Sequence, residues 1–165
     1  DGAAIYLAHP AGALSATFIN RFIAQGWRLH QTLVWVKDSL VPGHSDYHYR
    51  HEPVLFGYKP AHGRRGRGSA GWYGGNDCSS VFEIPRPKAS PDHPTSKPVA
   101  LIEAMVKNST RTGEIVLDAF LGSASTLIAA DRLGRRCFGL EIDPSYVDVA
   151  VLRWEAFSGQ TAVRL

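Results

Sequence analysis

Apolar and polar positions along the chain follow the pattern of an α/β protein. An apolar run from Ile115 to Leu117 ends in an acid, a phenylalanine and small residues, and an amphipathic segment from Leu127 to Leu133 follows. This order predicts a buried parallel strand, a tight loop and a helix. Such a junction leaves helix N-terminal N–H groups unpaired beside a loop with few side chains, so a ligand can approach the backbone there.

A second unit of the same kind follows at the distance of a crossover connection. The segment 136–144 predicts another buried strand that ends in an acid, Glu141. A carboxylate in this position of a βαβ unit can accept hydrogen bonds from ribose hydroxyls. Asp118 or Glu141 alone fits an ordinary α/β core with a helix-capping acid equally well. Their combination at this spacing favours a site for a nucleoside cofactor.

The first 60 residues predict a strand, a helix and a pair of strands. The proposed ranges are 3–8 for the first strand, 13–25 for the helix, and 27–37 and 51–59 for the strand pair, which we expect to be antiparallel. Pro53 should lie at the start or edge of its strand, because it has no N–H to give to a ladder.

Two more helices are predicted in the second half. Thr95 or Ser96 is a suitable N-cap, with Pro98 in the first turn. The apolar faces are expected to comprise Val99, Ile102, Met105 and Val106 in this helix, and Val147, Val151 and Trp154 in the helix over 146–157.

Composition narrows the class of protein. The chain has 165 residues and 44% hydrophobic content, enough for one core and a single domain. The formal charge of +3 is compatible with nucleic acid but does not demonstrate it. Cys78 and Cys137 offer neither a metal-binding spacing nor a disulfide framework, so we expect no metal and a cytoplasmic location.

Two motifs carry a family resemblance. Asp-x-Phe-x-Gly-Ser-x-Ser-Thr at 118–126 and Gly-x-Glu-x-x-Pro-x-Tyr at 139–146 resemble the S-adenosylmethionine-binding half of the amino-DNA methyltransferases, in the β-ordered group that modifies adenine N6 or cytosine N4. The resemblance implies a circularly permuted, Rossmann-like α/β fold, with a mixed, incomplete sheet and helices on both faces. Ala119 replaces the usual proline and Ala124 a usual glycine. The methyl group of Ala124 would weaken cofactor binding if the backbone there needs a positive φ.

The resemblance also implies which residues bind S-adenosylmethionine. The segment around Ser96 is close to the family motif His-Pro-Thr-Gln-Lys-Pro, which meets the methionine end of the cofactor. The implied cofactor-binding residues are Thr95, Lys97, Asp118, Phe120, Gly122, Ser123, Glu141 and Ile142.

Two loops are candidates for contact with double-stranded DNA. Tyr47, His48 and Tyr49 combine flat rings with polar groups, as stacking on a flipped base requires, although a surface loop packed on the sheet explains them equally well. Arginines interleaved with glycine suit phosphate oxygens and predict affinity for the DNA backbone without sequence specificity. These are Arg64, Arg65 and Arg67.

The catalytic tetrapeptide of the family, Asp/Asn/Ser-Pro-Pro-Tyr/Phe, is absent from the sequence. In the β order it is expected upstream of Asp1, so the chain alone should be inactive. A homodimer or a complementary chain could supply the missing strands. Residues 143–146 form a similar sequence, which we interpret as a helix cap. The resemblance divides the single domain into a base-pocket half, a short DNA-contact region and a cofactor half, at 1–59, 60–90 and 91–165.

Three functional hypotheses follow. We prefer a DNA methyltransferase acting on adenine N6, with cytosine N4 as the close alternative. A non-catalytic module that binds cofactor or DNA is the second. A dinucleotide-dependent oxidoreductase is the weakest, because Gly-x-Gly-x-x-Gly is absent from the first strand–helix turn.

Overall fold

The computed structural model describes residues 2–44, 46–60, 71–87 and 96–164. They form two compact units, Asp1–Arg86 and Pro87–Leu165. The elements are β1 (Ala4–Ala8), α1 (Leu14–Ala24), β2 (Arg28–Val41), β3 (Tyr49–Tyr58), β4 (Val81–Glu83), α2 (Val99–Ser109), β5 (Ile115–Asp118), α3 (Ser125–Arg132), β6 (Arg136–Gly139) and α4 (Pro144–Ser158).

The first unit contains a mixed sheet with the strand order β1-β3-β2-β4. Strand β3 runs antiparallel to both β1 and β2, which confirms the predicted antiparallel pair, and β4 runs parallel to β2. Phe22 of α1 is almost fully buried, as are Val54 and Leu55 of β3. A Cβ atom on Gly57 would lie 2.8 Å from the Phe22 ring, so glycine at this position lets the helix pack close to the sheet.

Pro53 occupies a place that the sequence did not predict. It is the fifth residue of β3, a central strand, and not at a strand start or edge. Its carbonyl accepts a hydrogen bond from the N–H of His9, so this residue faces the β1 side. The pairing of β1 with β3 ends at Ala8, and a strand residue directs its N and C=O to the same neighbour. The N–H that proline lacks would face the carbonyl of His9, just beyond the end of β1, so Pro53 costs the sheet at most the last hydrogen bond of this ladder.

The second unit pairs β5 and β6 in parallel, in a register that places Asp118 opposite Gly139. Helix α3 packs on β6 and on α2. Apart from Ala124 in the loop before α3, the buried apolar residues described in this unit lie on the three helices; they are Leu101, Met105, Val106, Ile128, Ala129, Ala130 and Ala150. This architecture agrees with the predicted α/β class.

The burial expected for the parallel strands is only partly observed. Ile115 and Leu117 are 58% and 68% exposed, whereas Val116 and Cys137, which face each other across the two strands, are half-buried. One face of this strand pair is thus covered by helix, and no described residue buries the other.

Both helix predictions in this unit need correction. Pro98, not Thr95 or Ser96, is the N-cap of α2, and no side chain in the described part of the chain caps that helix. In α4 the buried position is Ala150, while Val147 and Val151 are 41% and 37% exposed. Across the described ranges, none of the helices is long and apolar enough to cross a membrane.

Candidate functional site

The loop between β5 and α3 has an unusual backbone. Gly122 and Ala124 both adopt left-handed conformations, with φ of 51° and 66°. This conformation costs an alanine roughly 1–2 kcal/mol relative to the right-handed one. Ala124 is also completely buried. Ala124 therefore has the positive φ that the sequence analysis considered. Contacts with surrounding residues must stabilise this conformation.

The carboxylate of Asp118 links the start of this loop to the first turn of α3. One carboxylate oxygen accepts a hydrogen bond from the Phe120 N–H at 2.9 Å, and the other accepts one from the Thr126 hydroxyl at 2.6 Å. Burial raises the pKa of the Cys137 thiol to about 11, and the nearby charge of Asp118 adds to the shift. The contacts of Asp118 are those of a residue that shapes the loop, and each oxygen retains a further acceptor position.

Glu141 holds the same loop from the neighbouring strand. Its Oε2 accepts a hydrogen bond from the Gly122 N–H at 2.7 Å, and its Oε1 accepts bonds from the N–H groups of Ile142 and Asp143 at 2.9 and 3.0 Å. The bonds from Asp143 and then Gly122 lower the pKa of this carboxyl below 4.5. Glu141 is therefore an ionised, half-buried carboxylate at the end of the second parallel strand.

Two apolar side chains lie in the segments beside this carboxylate. Phe120 is 85% exposed and Ile142 is 98% exposed. The N–H of Leu121 donates to the Leu140 carbonyl at 2.9 Å and holds the two segments together. Apolar surface next to a few fixed polar groups is the usual composition of a small-molecule site.

The other end of the loop meets the segment before α2. The hydroxyls of Ser96 and Ser123 are 2.6 Å apart, and the Ser125 hydroxyl donates to the Lys97 carbonyl at 2.8 Å. Lys97 is half-buried, and Thr95 lies outside the described residues. Among the described residues no side chain caps α3, so the N–H groups of its first turn can bond to another acceptor.

Sequence reasoning missed two residues of this arrangement, Thr126 and Arg153. Arg153 of α4 donates to the Ser123 carbonyl at 2.6 Å and to the Ser123 hydroxyl at 2.9 Å. A helical signal was present, because Arg153 lies three residues after the buried Ala150 and thus on the same face of the helix. Val147 lies three residues before Ala150, on the side of it away from Arg153, and so drew the prediction away from the arginine.

The predicted DNA-contact residues belong to the first unit. Tyr47 is 90% exposed and His48 is exposed. Tyr49 is 42% exposed, and its ring packs edge-on against His51 with 5.6 Å between centroids. Tyr47 and His48 are thus more accessible than Tyr49. The three predicted phosphate contacts, Arg64, Arg65 and Arg67, lie outside the described residues.

Asp143 is the N-cap of α4, as the sequence predicted. Its Oδ1 accepts hydrogen bonds from the Ser145 N–H at 2.9 Å and the Ser145 hydroxyl at 2.7 Å. Pro144 occupies the first turn. This carboxylate is used in a cap, in agreement with the interpretation of residues 143–146.

The second unit has the parallel strands and flanking helices of a Rossmann-like α/β protein, and Glu141 follows its second strand. The sequence profile of the N6/N4 DNA methylase family matches residues 9–152. The chain belongs to this DNA methylase family, as its two motifs indicated.

Individual proteins agree with this assignment. Type II methyltransferase M2.DpnII of Streptococcus pneumoniae is 44% identical over 64 residues, which are 39% of this chain and 24% of that protein. DNA adenine methyltransferase YhdJ of Escherichia coli K12 is 36% identical over 90 residues, or 52% of this chain and 31% of that protein. The chain thus spans less than a third of either relative.

A solved structure shows the same fold. The crystal structure of the M1.HpyAVI-SAM complex superposes with a TM-score of 0.73 at 23% identity, and the match covers 92% of this chain and 74% of that one.

Proposed function

We propose that this chain carries the S-adenosylmethionine-binding part of a DNA methyltransferase that modifies an exocyclic amine, with adenine N6 as the target. Glu141 is the observation that carries the proposal. It is an ionised carboxylate at the end of the second parallel strand, beside two exposed apolar side chains. Membership of the DNA methylase family and the SAM complex of M1.HpyAVI support it.

The residues present fit the nucleoside end of this cofactor. Glu141 Oε2 accepts one hydrogen bond from the protein, so it can accept another from a ribose hydroxyl. Phe120 and Ile142 offer apolar surface for an adenine ring. When bound, S-adenosylmethionine supplies an electrophilic methyl group on a positively charged sulfur.

The residues also fit the methionine end. The uncapped start of α3 offers N–H groups and a partial positive charge, and the Ser125 hydroxyl in its first turn donates to the Lys97 carbonyl, so the proposal assigns the ammonium of Lys97 to the same ligand group. A carboxylate is the group that such a site favours. Asp118 and Ser123 shape the loop, while Thr95 stays a prediction from the family motif.

For DNA, the proposal assigns base contact to the loop with Tyr47, His48 and Tyr49. Their exposed rings can stack on an extruded base, and Arg64, Arg65 and Arg67 would bind phosphates. YhdJ, an adenine methyltransferase by name, favours adenine over cytosine N4. The cytoplasmic location stays a prediction.

The test is isothermal titration of S-adenosylmethionine into the chain and its Glu141→Gln variant. Glutamine keeps one acceptor oxygen but removes the charge, and hydrogen bonds to charged groups contribute about 1.5–3 kcal/mol. We therefore expect affinity to fall about tenfold or more. Glu103→Gln is the matched control, since Glu103 pairs with Arg132 in a separate ion pair on the helices.

Folding is checked by circular dichroism for each variant. Equal affinity of a folded Glu141→Gln variant and the unchanged chain would show that the cofactor binds elsewhere. A folded, unchanged chain that binds no S-adenosylmethionine would contradict the proposal as a whole.

A further inference from the structure

Arg153 connects three segments of the second unit. From α4, its guanidinium donates to the carbonyl and hydroxyl of Ser123, and it lies 3.4 Å from the Ser125 hydroxyl. Those two serines in turn bond to Ser96 and to the Lys97 carbonyl. The loop after β5 and the segment before α2 are therefore both fixed, directly or through one serine, by a single side chain.

No carboxylate among the described residues pairs with the charge of this arginine. Each acceptor of Arg153 is a neutral oxygen of Ser123 or Ser125. Burial lowers the pKa of the guanidinium, which is the expected sign of a desolvated cation. A cation in such a place adds a positive charge next to the uncapped start of α3.

The position of the hydrogen bond matters for the loop. The Ser123 carbonyl belongs to the peptide unit directly before Ala124, the alanine with φ of 66°. Arg153 thus holds the peptide that leads into the left-handed residue. The first N–H groups of α3 follow directly after that residue.

The loop has two ends with different partners. Gly122 is tied to Glu141, the proposed ribose acceptor, whereas Ser123 and Ser125 are tied to the Ser96–Lys97 segment. Arg153 contacts the second end. We infer that Arg153 is a positioning residue for the methionine end of the cofactor, acting through Ser123 and Ser125. The inference rests on the proposed function and extends it to a residue outside the two motifs.

The experiment compares two ligands that share the nucleoside but differ at the other end. S-adenosylhomocysteine carries the amino-acid group, and 5′-methylthioadenosine lacks it. Affinities are measured by titration calorimetry, in competition mode for the weaker ligand. We expect Arg153→Met to weaken S-adenosylhomocysteine about tenfold or more, because charged hydrogen bonds are lost, and to change 5′-methylthioadenosine less than about twofold.

Two further variants complete the design. Arg153→Lys keeps the charge without the planar fork of donors, so it should recover part of the lost affinity for S-adenosylhomocysteine. Arg132→Met removes the same charge from α3, where Arg132 pairs with Glu103, and should leave both ligands unaffected. Should Arg153→Met fail to fold, the selective weakening must appear in Arg153→Lys at a few-fold level.

Other outcomes overturn the inference. Equal weakening of both ligands would show that Arg153 only stabilises the fold, and unchanged binding of both would show that it does not act on the site. An unchanged chain that binds neither ligand would overturn the proposed function, and this inference with it. The first two results leave the proposed function intact, so the two failures are distinguishable.

Discussion

Two loops of the second unit lead from a strand into a helix, and they differ in how the helix begins. The loop from Asp118 to Ala124 is largely buried at its helix end and contains a left-handed alanine, and no side chain caps the helix that follows. The loop from Leu140 to Asp143 is mostly exposed, and Asp143 caps its helix. The loop before α3 thus has an unfavourable backbone conformation and an uncapped helix, whereas the loop before α4 has a regular helix cap.

This difference teaches where to look for function. An absent N-cap costs about 1 kcal/mol, and a left-handed alanine costs about as much again. A loop that carries both is held by other contacts, here those of Asp118 within the loop and those of Glu141 and Arg153, 19 and 30 positions away. Departures from local rules concentrate at functional sites. The uncapped loop is therefore where we place the ligand, and the capped loop supplies Glu141 to it.

The largest expected effect comes from removing Asp118, which closes the uncapped loop. Asp118→Ala leaves the Phe120 N–H and the Thr126 hydroxyl without their acceptor. We expect the free energy of unfolding to fall by about 2 kcal/mol, the magnitude of hydrogen bonds to a charged group. Urea unfolding followed by circular dichroism measures it.

Glu103→Ala is the control for this substitution. It removes a carboxylate from the ion pair with Arg132 and should cost less than about 1 kcal/mol. A loss from Asp118→Ala no larger than that of the control would mean that the loop does not depend on its acid.

Much of this unit could be predicted from the sequence, because its signals are local. The apolar run before Asp118 and the small residues after it predict a strand, a loop and a helix. Asp143 followed by Pro144 predicts a helix start. The structure has both.

The parts that could not be predicted depend on contacts between distant residues. Ser96 looks like an N-cap from its neighbours, yet its hydroxyl bonds to Ser123, 27 positions away. Pro53 looks unfit for a central strand, and only the end of β1 at Ala8 makes it acceptable. Arg153 acts on a loop 30 positions away, so its spacing shows its face on α4 but not its partner.

A smaller effect is expected at Ala124, with the opposite sign. Ala124→Gly removes the cost of the left-handed conformation, although glycine gains freedom in the unfolded chain. We expect a net gain of about 0.5–1 kcal/mol in the free energy of unfolding. Ala129→Gly in the same helix should instead lose about 1 kcal/mol, since Ala129 lies in the helix interior. A loss in both variants would show that the methyl group of Ala124 contributes more by packing than its backbone costs.

The last effect concerns the capped loop and depends on pH. The hydroxyl of Ser145, followed by its N–H, lowers the pKa of Asp143 below 3.8 in the folded chain. A carboxyl whose pKa falls on folding stabilises the fold above its unfolded pKa, near 3.9, and this contribution is lost as the pH falls through the folded value. Asp143→Ala should therefore lower the melting temperature at pH 7 but change it progressively less below about pH 4.

Ser145→Ala sharpens this test, because it removes the hydroxyl bond to Asp143 and keeps the N–H bond. The pKa of Asp143 should be lowered less in this variant. Its melting temperature at pH 7 should therefore lie between that of the unchanged chain and that of Asp143→Ala. A difference between Asp143→Ala and the unchanged chain that stays constant from pH 7 to pH 3 would contradict a charged cap. The two loops would then differ in backbone conformation alone, and the capped loop would owe its helix start to Pro144.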